Sequence, residues 1–122
     1  PNSIRAQRHN FRIPRRPQPS EQATPFWLGK FGIAVNGVPF DPGAAEFWNN
    51  DPSSGWQYEA MSGAIPLGLD ENHAHVQPTG AYHYHGIPTG LVDKLEKSGN
   101  AGRPLLLGWA ADGFPIYGPK HY

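Results

Sequence analysis

Residues 72–86 read NHAHVQPTGAYHYHG and contain four of the six histidines of the chain. These histidines form two His-x-His pairs, His73 with His75 and His83 with His85. Because alternate residues of a β-strand point to the same face, each pair places both imidazoles on one face. The intervening Pro78-Thr79-Gly80 suits a three-residue hairpin loop in which glycine takes the left-handed position. The segment therefore predicts a β-hairpin with a histidine face.

A loop centred on Thr79 sets the register of this hairpin. His75 then faces His83, and His73 faces His85, with opposed β-carbons about 4.5–5.5 Å apart. The other face of the hairpin is apolar and suits a core; it carries Ala74, Val76, Tyr82 and Tyr84. This single register places the histidines on one face and the core-facing residues on the other, which supports it.

Two facing His-x-His pairs predict a site for one or two transition-metal ions, because imidazole nitrogen is a common ligand of zinc and copper. The chain has one methionine and no cysteine, which argues against a thioether copper(I) carrier and favours Cu(II) or Zn(II). Calcium and magnesium prefer oxygen ligands. The ligands are either four histidines or three with a carboxylate or water. The candidate carboxylates are Asp70, Glu71, Glu59 and Asp112. The alternative interpretation is a set of solvated histidines on a polar sheet face.

The rest of the chain predicts a mainly-β fold. Asn36-Gly37 and Asp112-Gly113 each separate apolar stretches, a pattern typical of hairpins. Short helices are expected over 44–48, after an Asp41 cap, and from a Thr89 cap to near Gly99. Further strands are expected at 56–60 and 105–109. The chain has 15 Gly and 14 Pro beside 15 aromatic residues (4 Trp, 5 Tyr and 6 Phe), which indicates a loop-rich domain rather than disorder. We expect a single antiparallel β-sandwich or barrel-like domain with one or two short helices.

Residues 1–25 predict an extended Arg- and Pro-rich arm ahead of a β domain over residues 26–122. Half of the ten basic residues lie in this arm and precede every acidic residue: Arg5, Arg8, Arg12, Arg15 and Arg16. Prolines prevent a helix there, and one short strand is expected at 11–13; the alternative interpretation is a disordered tail. The arm predicts head-to-tail assembly into an oligomer or filament, or contact with an anionic polymer. Because the formal net charge is zero, we do not expect a specific nucleic-acid partner. No apolar run approaches the ~20 residues of a membrane span.

Three stretches of this chain resemble a known family. They are AHVQPTGAYHYHGIPTGL at 74–91, GWAADGFPIYG at 108–118 and GIAVNGVPFDPG at 32–43. Together they are similar to the YHYH domain family over about residues 30–118, leaving the arginine arm outside. The resemblance implies an extracytoplasmic setting: periplasmic, secreted or cell-surface. It marks His75, His83, His85 and Asp112 as motif positions and leaves His73 as the weakest candidate ligand. It implies no reaction.

Three functions remain open at this point. The first is a secreted or surface copper- or zinc-binding protein. The second is a metal-dependent oxidase or hydrolase, with Glu59 or Asp112 as the candidate general base. The third is a surface assembly protein that uses the arm. The four tryptophans are expected in the core rather than on a sugar-binding platform, which an exposed pair would favour instead: Trp27, Trp48, Trp56 and Trp109.

Overall fold

Six short strands form one sheet in a computed structural model that describes residues 2–26 and 29–119. The strands are β1 (Gly32–Ala34), β2 (Pro39–Phe40), β3 (Ala74–Val76), β4 (Tyr82–Tyr84), β5 (Leu106–Ala110) and β6 (Pro115–Tyr117). Their order across the sheet is β3-β4-β2-β1-β5-β6. One α-helix, α1 (Thr89–Leu95), runs into a π-helical turn (Glu96–Asn100), and two 3-10 turns lie at Trp48–Asn50 and Pro52–Ser54. The mainly-β expectation is confirmed.

Three hairpins form where the turn residues predicted them. In the β3–β4 hairpin, His75 pairs with His83, Val76 with Tyr82 and Ala74 with Tyr84, which is the predicted register. Its loop closes at Gly80, which has φ +86°. The β1–β2 turn closes in the same way at Gly37 (φ +86°), and the β5–β6 turn at Gly113 (φ +91°). Glycine reaches these angles without a steric penalty. The local turn chemistry therefore fixes the three hairpins, whereas the antiparallel β1–β5 pair joins distant segments.

The sheet is mixed and open, which differs from the expected antiparallel sandwich or barrel. β2 and β4 are parallel, with Phe40 beside Tyr84 and the Asp41 N–H donating to the Tyr84 carbonyl at 2.9 Å. The long connection over residues 41–81, which includes β3, allows this parallel arrangement, which a tight turn could not make. Among the described residues, no pairing joins the edge strands β3 and β6, so the sheet does not close.

The apolar core lies on the face of the sheet that α1 covers. The helix contributes Leu91 and Val92 to the same buried cluster as Ala74 and Tyr84 of the hairpin. Ala74 is fully buried and Tyr84 is 5% exposed, as the predicted core face requires. Since side chains alternate along a strand, His75 and His83 point to the opposite side of the hairpin.

Several local expectations were wrong. No α-helix forms over 44–48, and 56–60 contributes one isolated bridge, between Phe47 and Gln57, instead of a strand. The N–H of Asp41 is taken by Tyr84, so that residue continues the sheet and caps no helix. Thr89 is the first helical residue, and its side chain caps nothing. No strand forms at 11–13.

Residues 2–26 contain neither helix nor strand, and their contacts with the rest of the chain include the histidine hairpin and the β5–β6 turn. The Arg5 N–H donates to the Gly80 carbonyl at 2.9 Å, and the Asn2 amide donates to the Val76 carbonyl at 2.9 Å. At the β5–β6 turn, a β-carbon on Gly113 would lie 2.3 Å from the Pro14 carbonyl oxygen. Residues 2–14 thus have contacts with the histidine hairpin and with that turn.

Trp27 and His121 lie outside the described residues. Within the described part, no helix has the length and apolar character that crossing a membrane demands.

Candidate metal centre

Three histidines meet on the face of the hairpin opposite the core. The Nε2 atom of His85 lies 3.0 Å from Nε2 of His83 and 3.1 Å from Nε2 of His75. All three ring pairs have centroids 4.7 or 4.8 Å apart and edge-on geometry. His83 is 3% exposed and His85 is 8% exposed, while His75 is half-buried. One nitrogen of each ring therefore points to a common centre.

Hydrogen bonds at the far side of two rings determine which nitrogen is free. Nδ1 of His75 lies 2.5 Å from the Leu67 carbonyl oxygen, and Nδ1 of His83 lies 3.4 Å from the Ala81 carbonyl oxygen. A carbonyl oxygen can only accept, so each Nδ1 carries the proton. Both Nε2 atoms are then unprotonated and present a lone pair to the centre. Carbonyl acceptors orient metal-binding histidines in the same way.

The Nε2 lone pairs of His75 and His83 each need a hydrogen-bond donor or a cation, and His85 alone cannot satisfy both. If its Nε2 carries a proton, that N–H satisfies one neighbouring nitrogen well, and the other keeps an unpaired lone pair. Its Nδ1 is buried and makes no hydrogen bond of standard geometry. The backbone carbonyl of Pro42 still interacts with the ring and acts to raise its pKa. Buried polar atoms are normally paired. A cation at the centre would satisfy all three Nε2 lone pairs at once.

The electrostatic surroundings keep two of the rings neutral. Burial lowers the pKa of His83 and of His85 below the usual imidazole value, and the neighbouring imidazoles lower both further. The carboxylate of Asp41 opposes this shift at both rings, and that of Glu46 opposes it at His85. Neutral imidazole is the form that binds a metal.

Two carboxylates that the sequence did not predict as metal ligands share the cavity with the histidines. The cavity holds about 310 Å³, and its lining includes Asp41, Glu46, Leu67 and Gln77 beside the three rings. Oε2 of Glu46 is buried and has no hydrogen-bond partner. Asp41 reaches the cavity because Phe40, next to it, pairs in parallel with Tyr84. Only its place in the GVPFDPG stretch pointed to it, since a parallel pairing between distant segments leaves no local spacing signal.

The structure does not bring His73 to the other three histidines. Its backbone keeps the predicted pairing, because the His85 N–H donates to the His73 carbonyl at 2.7 Å. However, His73 has φ +55°, and its Nδ1 bonds to the Ile87 carbonyl at 2.7 Å. A left-handed residue interrupts the strand geometry that would keep its side chain on the histidine face. Among the described residues, the group that could hold a metal is His75, His83 and His85.

The other predicted carboxylates lie outside this group. Asp70 accepts hydrogen bonds from the Tyr82 hydroxyl and from the backbone N–H groups of Asn72 and Ala74. Asp112 lies exposed in the β5–β6 turn, where it accepts from the Phe114 N–H at 3.4 Å. Glu59 and Glu71 are exposed. These acids have local roles or face solvent.

The arrangement can bind one transition-metal ion from one side. The three ligand nitrogens lie within 4.8 Å of one another. At zinc–nitrogen bonds of about 2.0–2.1 Å, tetrahedral ligands are about 3.3 Å apart, so small side-chain shifts suffice. Three protein ligands leave a fourth position for water, a substrate or a carboxylate.

Comparison with known proteins connects this site to one family. The family model described as YHYH protein matches residues 10–122. The match starts further upstream than the three sequence stretches indicated and includes Arg12, Arg15 and Arg16 of the arm. No curated protein and no solved structure matches the chain.

Proposed function

The chain belongs to the YHYH protein family, and we propose that it binds one transition-metal ion, copper or zinc, through His75, His83 and His85. The observation that carries the proposal is the convergence of three Nε2 atoms, with 3.0 and 3.1 Å between neighbours. Carbonyl acceptors behind His75 and His83 free those lone pairs in advance. Such preorganisation reduces the cost of binding.

The donor set favours Zn(II) or Cu(II), since imidazole suits both ions and the chain has no thiolate to offer. The setting we propose is extracytoplasmic, in a secreted or surface protein that stores, sequesters or is stabilised by the metal. The basis for this setting is the family resemblance. The same proposal treats residues 1–25 as an arm that lies on a β domain over 26–122.

Elemental analysis of the protein as isolated tests metal binding. We expect about one equivalent of copper or zinc per chain in the wild type and almost none in the double variant His75→Ala/His83→Ala. His73→Ala is the matched control, because that ring lies in the same hairpin outside the group, and it should keep its metal. Equal metal in the wild type and the double variant would refute the site.

A second function, metal-dependent hydrolysis, is favoured by one specific observation. Glu46 places a buried, unpaired carboxylate oxygen in the histidine cavity, where Glu59 and Asp112 do not reach. A carboxylate beside an open metal position can act as general base toward water.

Glu46→Gln separates this enzyme from a simple metal carrier. If Glu46 is the base, the variant keeps its metal and hydrolyses 4-nitrophenyl acetate about 10²-fold more slowly. If the variant loses its metal, Glu46 is a fourth ligand, and the protein is a carrier with a closed site. Unchanged hydrolysis at full metal content would dismiss a role for this carboxylate.

A further inference from the structure

Two tryptophans that the sequence placed in the core are exposed. Trp56 is 73% exposed and Trp48 is 54% exposed. Together with Gln57 and Tyr58 they line a cavity of about 400 Å³. We call these four residues the aromatic platform. Exposed aromatic patches of this kind mark binding sites, since they keep large apolar surfaces in water.

The backbone around the platform is held in place. The Trp48 N–H donates to the Trp56 carbonyl at 3.1 Å, and the Tyr58 N–H donates to the Glu46 carbonyl at 2.9 Å. The Gln57 amide donates to the Ala44 carbonyl. The connecting turn begins at Asp51, whose carboxylate accepts from the Ser53 N–H at 2.9 Å. A ligand would therefore meet a backbone that is already ordered, which lowers the cost of binding.

The small size of the apolar surface argues against a protein partner. At about 250 Å² for a large aromatic side chain, the two indoles leave roughly 300 Å² exposed. A stable protein interface needs about 800 Å² from each partner. An apolar surface of this size suits a small ligand with a few rings instead.

We propose that the aromatic platform binds a neutral oligosaccharide. A sugar ring has an apolar face, which can stack on an indole, and a rim of hydroxyl groups, which needs hydrogen-bonding partners. The NH2 group of Gln57 bonds to Ala44, but its amide oxygen can accept a hydrogen bond within the lining, and Asn49 and Asn50 supply exposed amides in the adjoining turn. None of the four lining residues carries a charge, so the proposal is for a neutral sugar.

Another cavity has lining residues in common with both the platform and the histidine cavity. This middle cavity of about 630 Å³ shares Trp56 and Gln57 with the platform. The same middle cavity shares Gly29 and Gly43 with the histidine cavity. A saccharide chain on the platform can extend toward the metal centre. Binding itself does not depend on the metal proposal.

Calorimetric titration with cellohexaose, mannohexaose and chitohexaose tests the platform. We expect at least one of them to bind the wild type, and Trp56→Ala and Trp48→Ala each to bind it at least tenfold more weakly. Both rings are exposed, so neither replacement opens the core. Tyr117→Ala is the matched control, since Tyr117 is also 54% exposed but lies on β6, and it should bind like the wild type. The double variant His75→Ala/His83→Ala should retain sugar binding, which keeps this test separate from that of the metal.

Three results would overturn the proposal. The first is that none of the hexasaccharides binds, or that Tyr117→Ala weakens binding as much as Trp56→Ala. The second is a wild-type dimer that Trp56→Ala converts to a monomer, which would make the platform a self-association surface. The third is Trp56-dependent binding to phosphatidylcholine vesicles, which would make it a membrane contact.

Discussion

At the scale of single residues, the site depends on which nitrogen of each ring holds the proton. Spacing in the sequence predicted that His75, His83 and His85 share a face, because strand alternation is regular. Spacing could not show the carbonyls of Leu67 and Ala81, which set the tautomers. It also could not show that His73 takes φ +55° and lies outside the group. These features depend on loops and backbone angles that no periodicity records.

Asp70 gives a residue-scale prediction about pH. Burial acts to raise the pKa of Asp70, but hydrogen bonds from Tyr82, Asn72 and Ala74 outweigh it and hold that pKa below its ordinary value. Burial and the bond to Asp70 raise the pKa of Tyr82 to about 12, so its hydroxyl remains a donor. A lowered carboxyl pKa stabilises the fold above the unfolded-state pKa of about 3.9, and that contribution disappears as pH falls through the folded-state pKa.

We therefore expect metal-free wild type to lose more stability than Asp70→Asn between about pH 5 and pH 2. The difference should be at most about 1 kcal/mol, because Asp70 is exposed and its interactions are screened. Urea unfolding at several pH values measures it. Parallel stability curves for the two proteins would show that the Asp70 hydrogen bonds contribute nothing.

At the scale of elements, short turn signals predicted the three hairpins, because asparagine, aspartate and glycine have strong local conformational preferences. The parallel β2–β4 contact was not predictable, since it joins segments far apart in the chain. The predicted helix over 44–48 and the predicted strand over 56–60 were also wrong. They are replaced by 3-10 turns and one bridge, which tertiary hydrogen bonds such as Tyr58 to Glu46 hold in place.

The β1–β5 pair gives an element-scale prediction. A β-carbon on Gly108 would lie 2.1 Å from the Ile33 carbonyl oxygen and 2.7 Å from Cα of Ala34. Gly108→Ala must therefore push the two strands apart, and we expect it to lower the free energy of unfolding by about 2 kcal/mol. That corresponds to a fall in melting temperature of roughly 8 °C.

Gly118→Ala serves as the control for that experiment. A β-carbon at Gly118 would meet its nearest neighbours at 3.6–3.8 Å, an ordinary contact distance. Its stability should change by less than about 0.5 kcal/mol. Equal thermal shifts for the two variants would contradict the close approach of β1 and β5.

At the scale of the whole molecule, charge is separated between the arm and the rest of the chain. All five arm arginines are exposed, and all ten acidic residues follow them in the sequence. One backbone hydrogen bond ties the arm to the hairpin loop, from the Arg5 N–H to the Gly80 carbonyl. This leaves the guanidinium groups as an accessible basic surface, which attracts polyanions.

Because the arm arginines are exposed, we expect the protein to be retained on a sulfated polymer column in a salt-dependent manner. Arg8→Gln/Arg12→Gln should elute at lower salt than the wild type, because fewer counterions are released when it binds. Lys94→Gln/Lys97→Gln removes the same charge from the helical region and should elute like the wild type. Equal weakening by both pairs would mean that total charge, and not the arm, determines retention. Light scattering of the wild type and a variant lacking residues 1–25, at low and high salt, tests the competing role in assembly.

The central claim is that three imidazoles of one hairpin bind a single metal ion, and X-ray absorption of the zinc-loaded protein tests it most directly. We predict one zinc per chain with three imidazole nitrogens at about 2.0 Å and one or two oxygen ligands. His85→Ala should lose that three-imidazole shell, whereas His73→Ala should keep it. A zinc shell without imidazole scattering, or an identical spectrum from His85→Ala, would contradict the site.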